Sequence, residues 1–164
     1  MPLKPRSKRL VIPRLDKKGT VHAGSLKLDL RALSVHQCEK IFGWPEVLIA
    51  NDEFGVAEWW WKDGAVFGVR FTFPTRMVLN VKFSFREPLP ARRTIVRALF
   101  ADGKYVVVSH GSGMFLENKK HDVLLTLDDT RQCVRSVGFF APHAAHAHDV
   151  CDCPHHKTIR TAHS

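Results

Sequence analysis

The feature of this sequence that most constrains its fold is an alternation of apolar residues between positions 65 and 73. Ala65, Phe67, Val69, Phe71 and Phe73 occupy every second position. Successive side chains of a strand point to opposite faces of a sheet, whereas a helix repeats every 3.6 residues. The five side chains therefore share one face, and the segment is predicted to be a strand with that face in a core.

The same period of two, interrupted by turn residues, recurs along most of the chain. Val81, Phe83 and Phe85 repeat it, and the Asp-Gly pairs at 63–64 and 102–103 are typical of tight hairpin turns. Consecutive hairpins of this kind predict a mostly antiparallel sheet. The further predicted strands, of which the last four form two hairpins, are Leu10–Leu15, Thr20–Ala23, Ser25–Leu30, Val47–Ala50, Val56–Lys62, Thr94–Phe100, Lys104–Ser109, Val123–Leu127 and Val134–Phe140.

One segment departs from this pattern and has the signals of an α-helix. Ser34 is a favourable N-cap with Gln37 three residues later, and Gly43 and Pro45 end the segment. An apolar stripe at helical spacing consists of Val35, Cys38, Ile41 and Phe42. The predicted fold class is therefore α+β: a mostly antiparallel β-sheet of consecutive hairpins with one main α-helix packed on it.

Composition divides the chain into three parts. Residues 1–18 carry seven Lys or Arg and one Asp, a charge of +6, and are predicted to be a basic flexible N-terminal arm. Residues 19–141 are predicted to be a single β-rich globular domain, with sixteen basic and thirteen acidic residues. Residues 142–164 change to a low-complexity His/Cys-rich sequence without periodicity, which predicts a disordered tail.

The bulk properties favour a soluble cytoplasmic protein. Apolar runs stay far below the ~18 residues needed to span a bilayer. The N-terminus has no apolar segment and no small-residue cleavage site of the kind that mark a secretory signal peptide. In a reducing cytoplasm the four cysteines, Cys38, Cys133, Cys151 and Cys153, are expected to be free thiols.

Motifs that indicate catalysis are missing from the sequence. The acid pairs Asp52/Glu53 and Asp128/Asp129 lie in predicted turns, where carboxylates accept hydrogen bonds from backbone N–H groups. Ser112 lies between two glycines but lacks the spacing and the following helix of a nucleophile elbow, which favours a glycine-rich turn. A P-loop, a dinucleotide fingerprint and a metalloprotease helix are also missing. The sequence predicts no enzyme and no cofactor, and therefore a protein that binds another macromolecule.

The two ends of the chain suggest two alternative functions, nucleic-acid binding and metal binding. The basic arm could bind nucleic acid through its phosphates, by counterion release. The tail is dense in residues that ligate zinc or nickel, but it lacks the paired spacing of a structural zinc site, so we assign it no metal site. The tail residues concerned are His143, His146, His148, Cys151, Cys153, His155, His156 and His163.

A resemblance to a known family favours a protein partner. The segments Ser34–Pro45, Asn51–Val56 and Trp61–Phe71 follow the order helix, G-x-P, strand, N-D-x-x-G, strand, D-G, strand. This pattern, over residues 20–86, resembles the small cytoplasmic immunity proteins of bacterial polymorphic-toxin systems. The resemblance implies a protein that holds a cognate toxin inactive by direct binding, usually by covering its active site. A similar module occurs in outer-membrane assembly lipoproteins and β-lactamase-inhibitor proteins, which are exported.

Three consecutive tryptophans cannot all face one core, because neighbouring strand residues point opposite ways. A two-residue Asp-Gly turn pairs Trp60 with Phe67 on the core face and leaves Trp59 and Trp61 beside Arg70 on the other face. We therefore predict that Trp59, Trp61 and Arg70 bind the partner, because Trp and Arg dominate interface hot spots. A three-residue turn would reverse the assignment, and a helix that covers this second face would place both rings in the core.

Overall fold

The computed structural model describes residues 12–61, 65–91, 96, 99, 104–110, 113–118, 122–130 and 132–142. Its elements confirm the α+β class and the predominance of antiparallel strands. They are β1 (Arg14–Leu15), β2 (Thr20–Ala23), β3 (Leu26–Asp29), α1 (Val35–Phe42), β4 (Val47–Ala50), β5 (Phe54–Trp60), β6 (Val66–Thr72), β7 (Val78–Pro90), β8 (Val106–His110), β9 (Gly113–Glu117), β10 (Val123–Leu127) and β11 (Cys133–Phe140).

The strands form a small sheet and a large one. The small sheet has the order β1-β2-β3, and the large one has the order β4-β5-β6-β7-β11-β10-β9-β8. Each half of the large sheet is a meander of four consecutive strands, and the halves meet where β7 pairs with β11. At this join Phe83 lies opposite Val137, and Val81 lies opposite Phe139. The β5–β6 and β10–β11 hairpins follow turn signals of the sequence, whereas the join between the halves has no local signal.

Helix α1 begins and ends where its capping residues predict. The Ser34 hydroxyl accepts a hydrogen bond from the Gln37 backbone N–H at 3.3 Å, and the Gln37 side chain accepts one from the Ser34 N–H at 2.9 Å. This reciprocal pair satisfies two N–H groups that the first turn of a helix leaves without partners. Gly43 follows the last turn with φ +85°, a conformation that favours glycine, and its N–H donates to the Glu39 carbonyl.

The core lies between α1 and one face of the large sheet, which we call the inner face. Phe42 of α1 contacts Trp59 of β5 and Phe67 of β6, with ring centroids 5.7 and 4.8 Å apart. Val21 and Leu28 of the small sheet belong to the same buried cluster. The inner face continues across the sheet through buried side chains of β6, β7, β10 and β11, which include Val69, Phe71, Val81, Phe83, Leu125, Val137 and Phe139.

One predicted hairpin is wrong. Residues 94–100 were expected to pair with residues 104–109, but Val96 and Leu99 have helical backbone geometry, and β8 pairs with β9 instead. Val96 and Leu99 are both buried, and their spacing of three places them on one helical face. Three consecutive β-branched residues, Thr94, Ile95 and Val96, favour a strand by propensity, and burial of Val96 and Leu99 on one helical face outweighs that preference. The β8–β9 connection contains the segment around Ser112 that predicts a glycine-rich turn, although residues 111–112 lie outside the described residues.

The domain begins before residue 19, where the sequence placed its boundary. Strand β1 pairs with β2, with Arg14 opposite His22 and Leu15 opposite Val21. Ile12 and Leu15 pack against the buried cluster. Residues 12–18 are therefore part of the fold. The rest of the predicted arm, residues 1–11, and tail residues 143–164 lie outside the described residues.

The turn between β1 and β2 is organised by one carboxylate. Asp16 accepts hydrogen bonds from the backbone N–H groups of Lys18, at 2.8 Å, and Thr20, at 3.0 Å. Its second oxygen lies 2.8 Å from Nε2 of His22. The hydrogen bond to His22, with the two backbone donors, lowers the pKa of Asp16 to about 2. The ionised carboxylate therefore holds the small sheet together at its turn.

Candidate protein-binding surface

The pairing of β5 with β6 decides which tryptophan faces outward. Trp59 lies opposite Phe67 and Trp60 lies opposite Val66. The Trp61 N–H donates to the Ala65 carbonyl at 2.9 Å, so the connection spans three residues, 62–64. The predicted register, which rests on a two-residue turn, is wrong by one position. A shift of one residue moves every side chain to the opposite face, so the three-residue alternative holds.

Trp59 and Trp61 consequently lie on the inner face, which corrects their predicted placement. Trp59 is 0% exposed, and its indole N–H donates to the Gly43 carbonyl at 2.8 Å. The Trp61 ring is half-buried and stacks on Phe67 at 6.1 Å with an interplanar angle of 8°. Both rings pack with Phe42 of α1. In the folded chain Trp59 thus offers no surface to a partner.

Trp60 is the tryptophan of this strand that faces outward, and it is 53% exposed. Its backbone N–H donates to the Glu46 carboxylate at 2.9 Å. Its indole N–H lies 3.4 Å from the Glu58 carboxylate. The contact with Glu58 is made at the edge of the ring, and more than half of the residue's surface remains accessible. Trp60 is the residue that the alternative prediction, a three-residue turn, places on the outer face.

Other exposed side chains lie on the same face as Trp60, opposite the core, which we call the outer face; Val56 is four residues from Trp60 along β5. Ile49 of β4 is 67% exposed and lies directly opposite Val56 of β5, which is also exposed. Arg70 of β6 pairs with Val56 and places its guanidinium 4.6 Å above the Phe54 ring centroid. The predicted site residue Arg70 is therefore exposed on the outer face. We define the outer patch as Ile49, Val56, Trp60 and Arg70.

In the middle of the outer face an exposed lysine lies between two glycines on the neighbouring strands. Gly68 of β6 lies opposite Lys82 of β7, and Lys82 lies opposite Gly138 of β11. Lys82 is exposed, and both glycines are half-buried. We call this row the Gly-Lys-Gly row. It runs beside the outer patch, because Arg70 and Lys82 lie on adjacent strands two residues from a direct pair.

Among the described residues, no group of three or more His, Cys, Asp or Glu side chains could hold a metal ion. Burial raises the pKa of the Cys38 thiol in α1 to about 12, which keeps it protonated and unreactive at neutral pH. The His/Cys-rich tail from 143 onward lies outside this region. Within the same described residues, no helix has the length and apolar character needed to cross a bilayer.

Comparison with known proteins does not assign the chain to a family. No family model and no curated protein matches it. Among solved structures, it is similar to a cysteine-rich secretory protein from Staphylococcus aureus, with 9% identity, a TM-score of 0.45, and 68% of this chain and 44% of that chain covered. A second similar structure is an extracellular protein containing a SCP domain from Bacillus anthracis, with 11% identity, a TM-score of 0.44, and 84% and 50% covered. The chain thus spans half or less of each, and TM-scores this low carry no argument about function.

Proposed function

We propose that this chain is a non-enzymatic, cytoplasmic immunity protein that neutralises a cognate protein toxin by direct binding. The observation that carries the proposal is the outer patch. Exposed apolar side chains that cluster on one face mark interaction surfaces in soluble proteins. Trp and Arg are also the residue types most enriched among interface hot spots, and Trp60 and Arg70 lie on this face.

Two further features support a toxin as the partner. The resemblance to immunity proteins covers residues 20–86, and the outer patch lies on β4, β5 and β6, within that segment. The exposed cations of the outer face, Arg70 and Lys82, complement a partner that presents an acidic or apolar surface. Neither feature requires a catalytic group in this chain.

The test is a protection assay with the toxin encoded beside the gene for this chain. Cells that express this toxin are expected to survive when the wild-type chain is present and to die with the Trp60→Ser variant. Tyr105→Ser is the matched control, because Tyr105 is an exposed aromatic residue next to β8, at the far edge of the sheet. The thermal melts of both variants should match the wild type. Cells that die despite the wild-type chain would refute the proposed function.

A second candidate function, nucleic-acid binding, is favoured by a basic surface on the small sheet. Arg14, Lys17 and Lys18 of the predicted arm are exposed, as is Lys27 of β3. Filter binding of duplex DNA at two salt concentrations tests it, because phosphate contacts make affinity fall steeply with salt. Replacing the Lys and Arg residues of 1–18 with Gln should flatten that dependence. Binding that ignores salt and survives these replacements would exclude this mode of contact.

A further inference from the structure

Three glycines of the large sheet differ in whether the fold requires them. A Cβ atom built on Gly55 would overlap the ring of Phe71, so packing excludes any larger residue there. A Cβ on Gly68 would lie 3.7 Å from the nearest atom, in the Glu58 side chain, and one on Gly138 would lie 3.8 Å from backbone carbonyl oxygens. These are ordinary contact distances. Positive φ angles, which favour glycine, occur at other glycines of the described chain. Internal packing therefore explains Gly55 but not Gly68 or Gly138.

Glycine inside a strand lowers stability, because it has no side chain to pack and more backbone entropy to lose. Gly68 and Gly138 nevertheless lie in one row of the outer face, on the two strands that flank Lys82. A strand glycine without an internal packing role is typical of a place where another backbone approaches closely. The row therefore has the form of a contact surface with a cation at its centre.

The geometry of the row limits what can occupy it. Neighbouring strands lie about 4.8 Å apart, so Gly68 and Gly138 bracket Lys82 at about 5 Å on either side. Glu58 of β5 continues the row beyond Gly68, and Trp60 and Arg70 lie two residues from it on either side, along β5 and β6. The row, which we call the trough, therefore has backbone without side chains on both sides of the exposed Lys82 side chain. A narrow segment of chain can lie against this backbone beside Lys82.

The exposed charges of the outer face indicate which side chains the bound segment should carry. Lys82 and Arg70 are exposed cations on adjacent strands. The nearby acid Glu58 lies opposite Gly68, and its carboxylate lies 3.4 Å from the Trp60 indole nitrogen. We propose that a loop of the partner crosses the outer face over Gly68 and Gly138 and places an Asp or Glu carboxylate against Lys82. This inference rests on the proposed function, which it deepens by naming the feature of the toxin that is recognised.

A library of disulfide-closed peptide loops displayed on phage tests this inference without a known partner. Selection on the immobilised wild-type chain should enrich loops that contain Asp or Glu. Selection on Lys82→Glu should favour Lys or Arg instead, whereas Lys27→Glu, an exposed lysine of the small sheet, should leave the wild-type preference unchanged. The best acidic loop is then made as a soluble peptide, and its Kd is measured for each variant.

Substitutions at Gly138 test the close approach. Gly138→Ala should weaken binding of the acidic peptide slightly, and Gly138→Thr by about tenfold or more, which corresponds to about 1.4 kcal/mol. Thr is favoured in strands, so the melting temperature should not fall. If Gly138→Thr nevertheless unfolds the chain, Lys82→Met provides the decisive measurement, with the same loss expected.

Two outcomes overturn the inference: wild-type selection without acidic loops, or an acidic peptide that binds the folded Lys82 and Gly138 variants as tightly as the wild type. Its failure is distinguishable from failure of the proposed function. If the chain protects cells from the toxin but selects no acidic loop, only the trough is refuted. If it selects acidic loops but gives no protection, only the immunity function is refuted.

Discussion

Trp59 and Trp60 are neighbours in one strand, and they separate the two faces of the large sheet. Trp59 packs against Phe42 and Phe67 and is fully buried, whereas Trp60 is exposed, with its backbone N–H bound to Glu46 and its indole N–H close to Glu58. The inner face is therefore stabilised by apolar packing, and the outer face exposes apolar and cationic side chains that are not packed in the core. An exposed face of this kind, on a sheet whose other face is packed, is suited to binding a protein partner.

The largest expected difference in stability is between two single substitutions, Trp59→Ala and Trp60→Ala. Trp59→Ala should lower the free energy of unfolding by about 3–5 kcal/mol, because it leaves a large cavity and removes the donor of the Gly43 carbonyl. Trp60→Ala should change it by no more than about 0.5 kcal/mol, as exposed substitutions do. Urea denaturation measures both values. Equal losses would mean that the two faces do not differ as described.

Deleting residues 1–18 should also weaken the inner side of the molecule. The deletion removes β1 and the contacts of Ile12 and Leu15 with the core, for which we expect a loss of about 2 kcal/mol or more. Deletion of residues 1–11 is the matched control, because it leaves every one of these contacts in place. Thermal and urea melts of the two truncated chains should differ. If they coincide, β1 contributes nothing to stability.

A smaller difference in stability is expected between substitutions of a glycine that packing requires, Gly55, and one that it does not require, Gly68. Gly55→Ala should destabilise the fold by about 1–3 kcal/mol, because the new methyl group would collide with Phe71 on the inner face. Gly68→Ala on the outer face should be neutral or raise stability by up to about 1 kcal/mol. The measurement is the midpoint of chemical denaturation. A large loss at Gly68 would reveal an internal constraint there and would weaken the proposal for the trough.

The smallest effect is expected from the half-buried electrostatic contact of Asp16 with His22. Its folded pKa of about 2 lies below the ordinary value of 3.8, so the ionised carboxylate stabilises the fold at pH above about 4. This contribution is lost as the pH falls through that interval towards 2. Between pH 5 and 2.5 the melting temperature of the wild type should fall more than that of Asp16→Asn. Parallel decreases would mean that the carboxylate does not stabilise the turn.

The candidate site was predictable only in part. Arg70 lies on the outer face as the alternation of β6 requires, but Trp59 and Trp61 exchange faces with Trp60 because the connection is one residue longer than an Asp-Gly turn implies. The prediction that this strand has an outward-facing tryptophan was therefore correct, and its position was wrong by one residue. The Gly-Lys-Gly row could not be predicted, because Gly68 and Gly138 are brought into one row only by the pairing of β6, β7 and β11.

The sequence by itself determined α1 and most strands, because capping residues, turn residues and side-chain periodicity act over a few neighbouring positions. It also determined that one face of β6 is buried, through the spacing of Phe67, Val69 and Phe71. Only the tertiary structure decided the helical geometry at Val96 and the junction of β7 with β11, which joins Val81 to Phe139 across more than fifty residues. Such contacts depend on which apolar faces can pack together once the chain has collapsed. The spacing of residues over a few neighbouring positions does not determine that pairing.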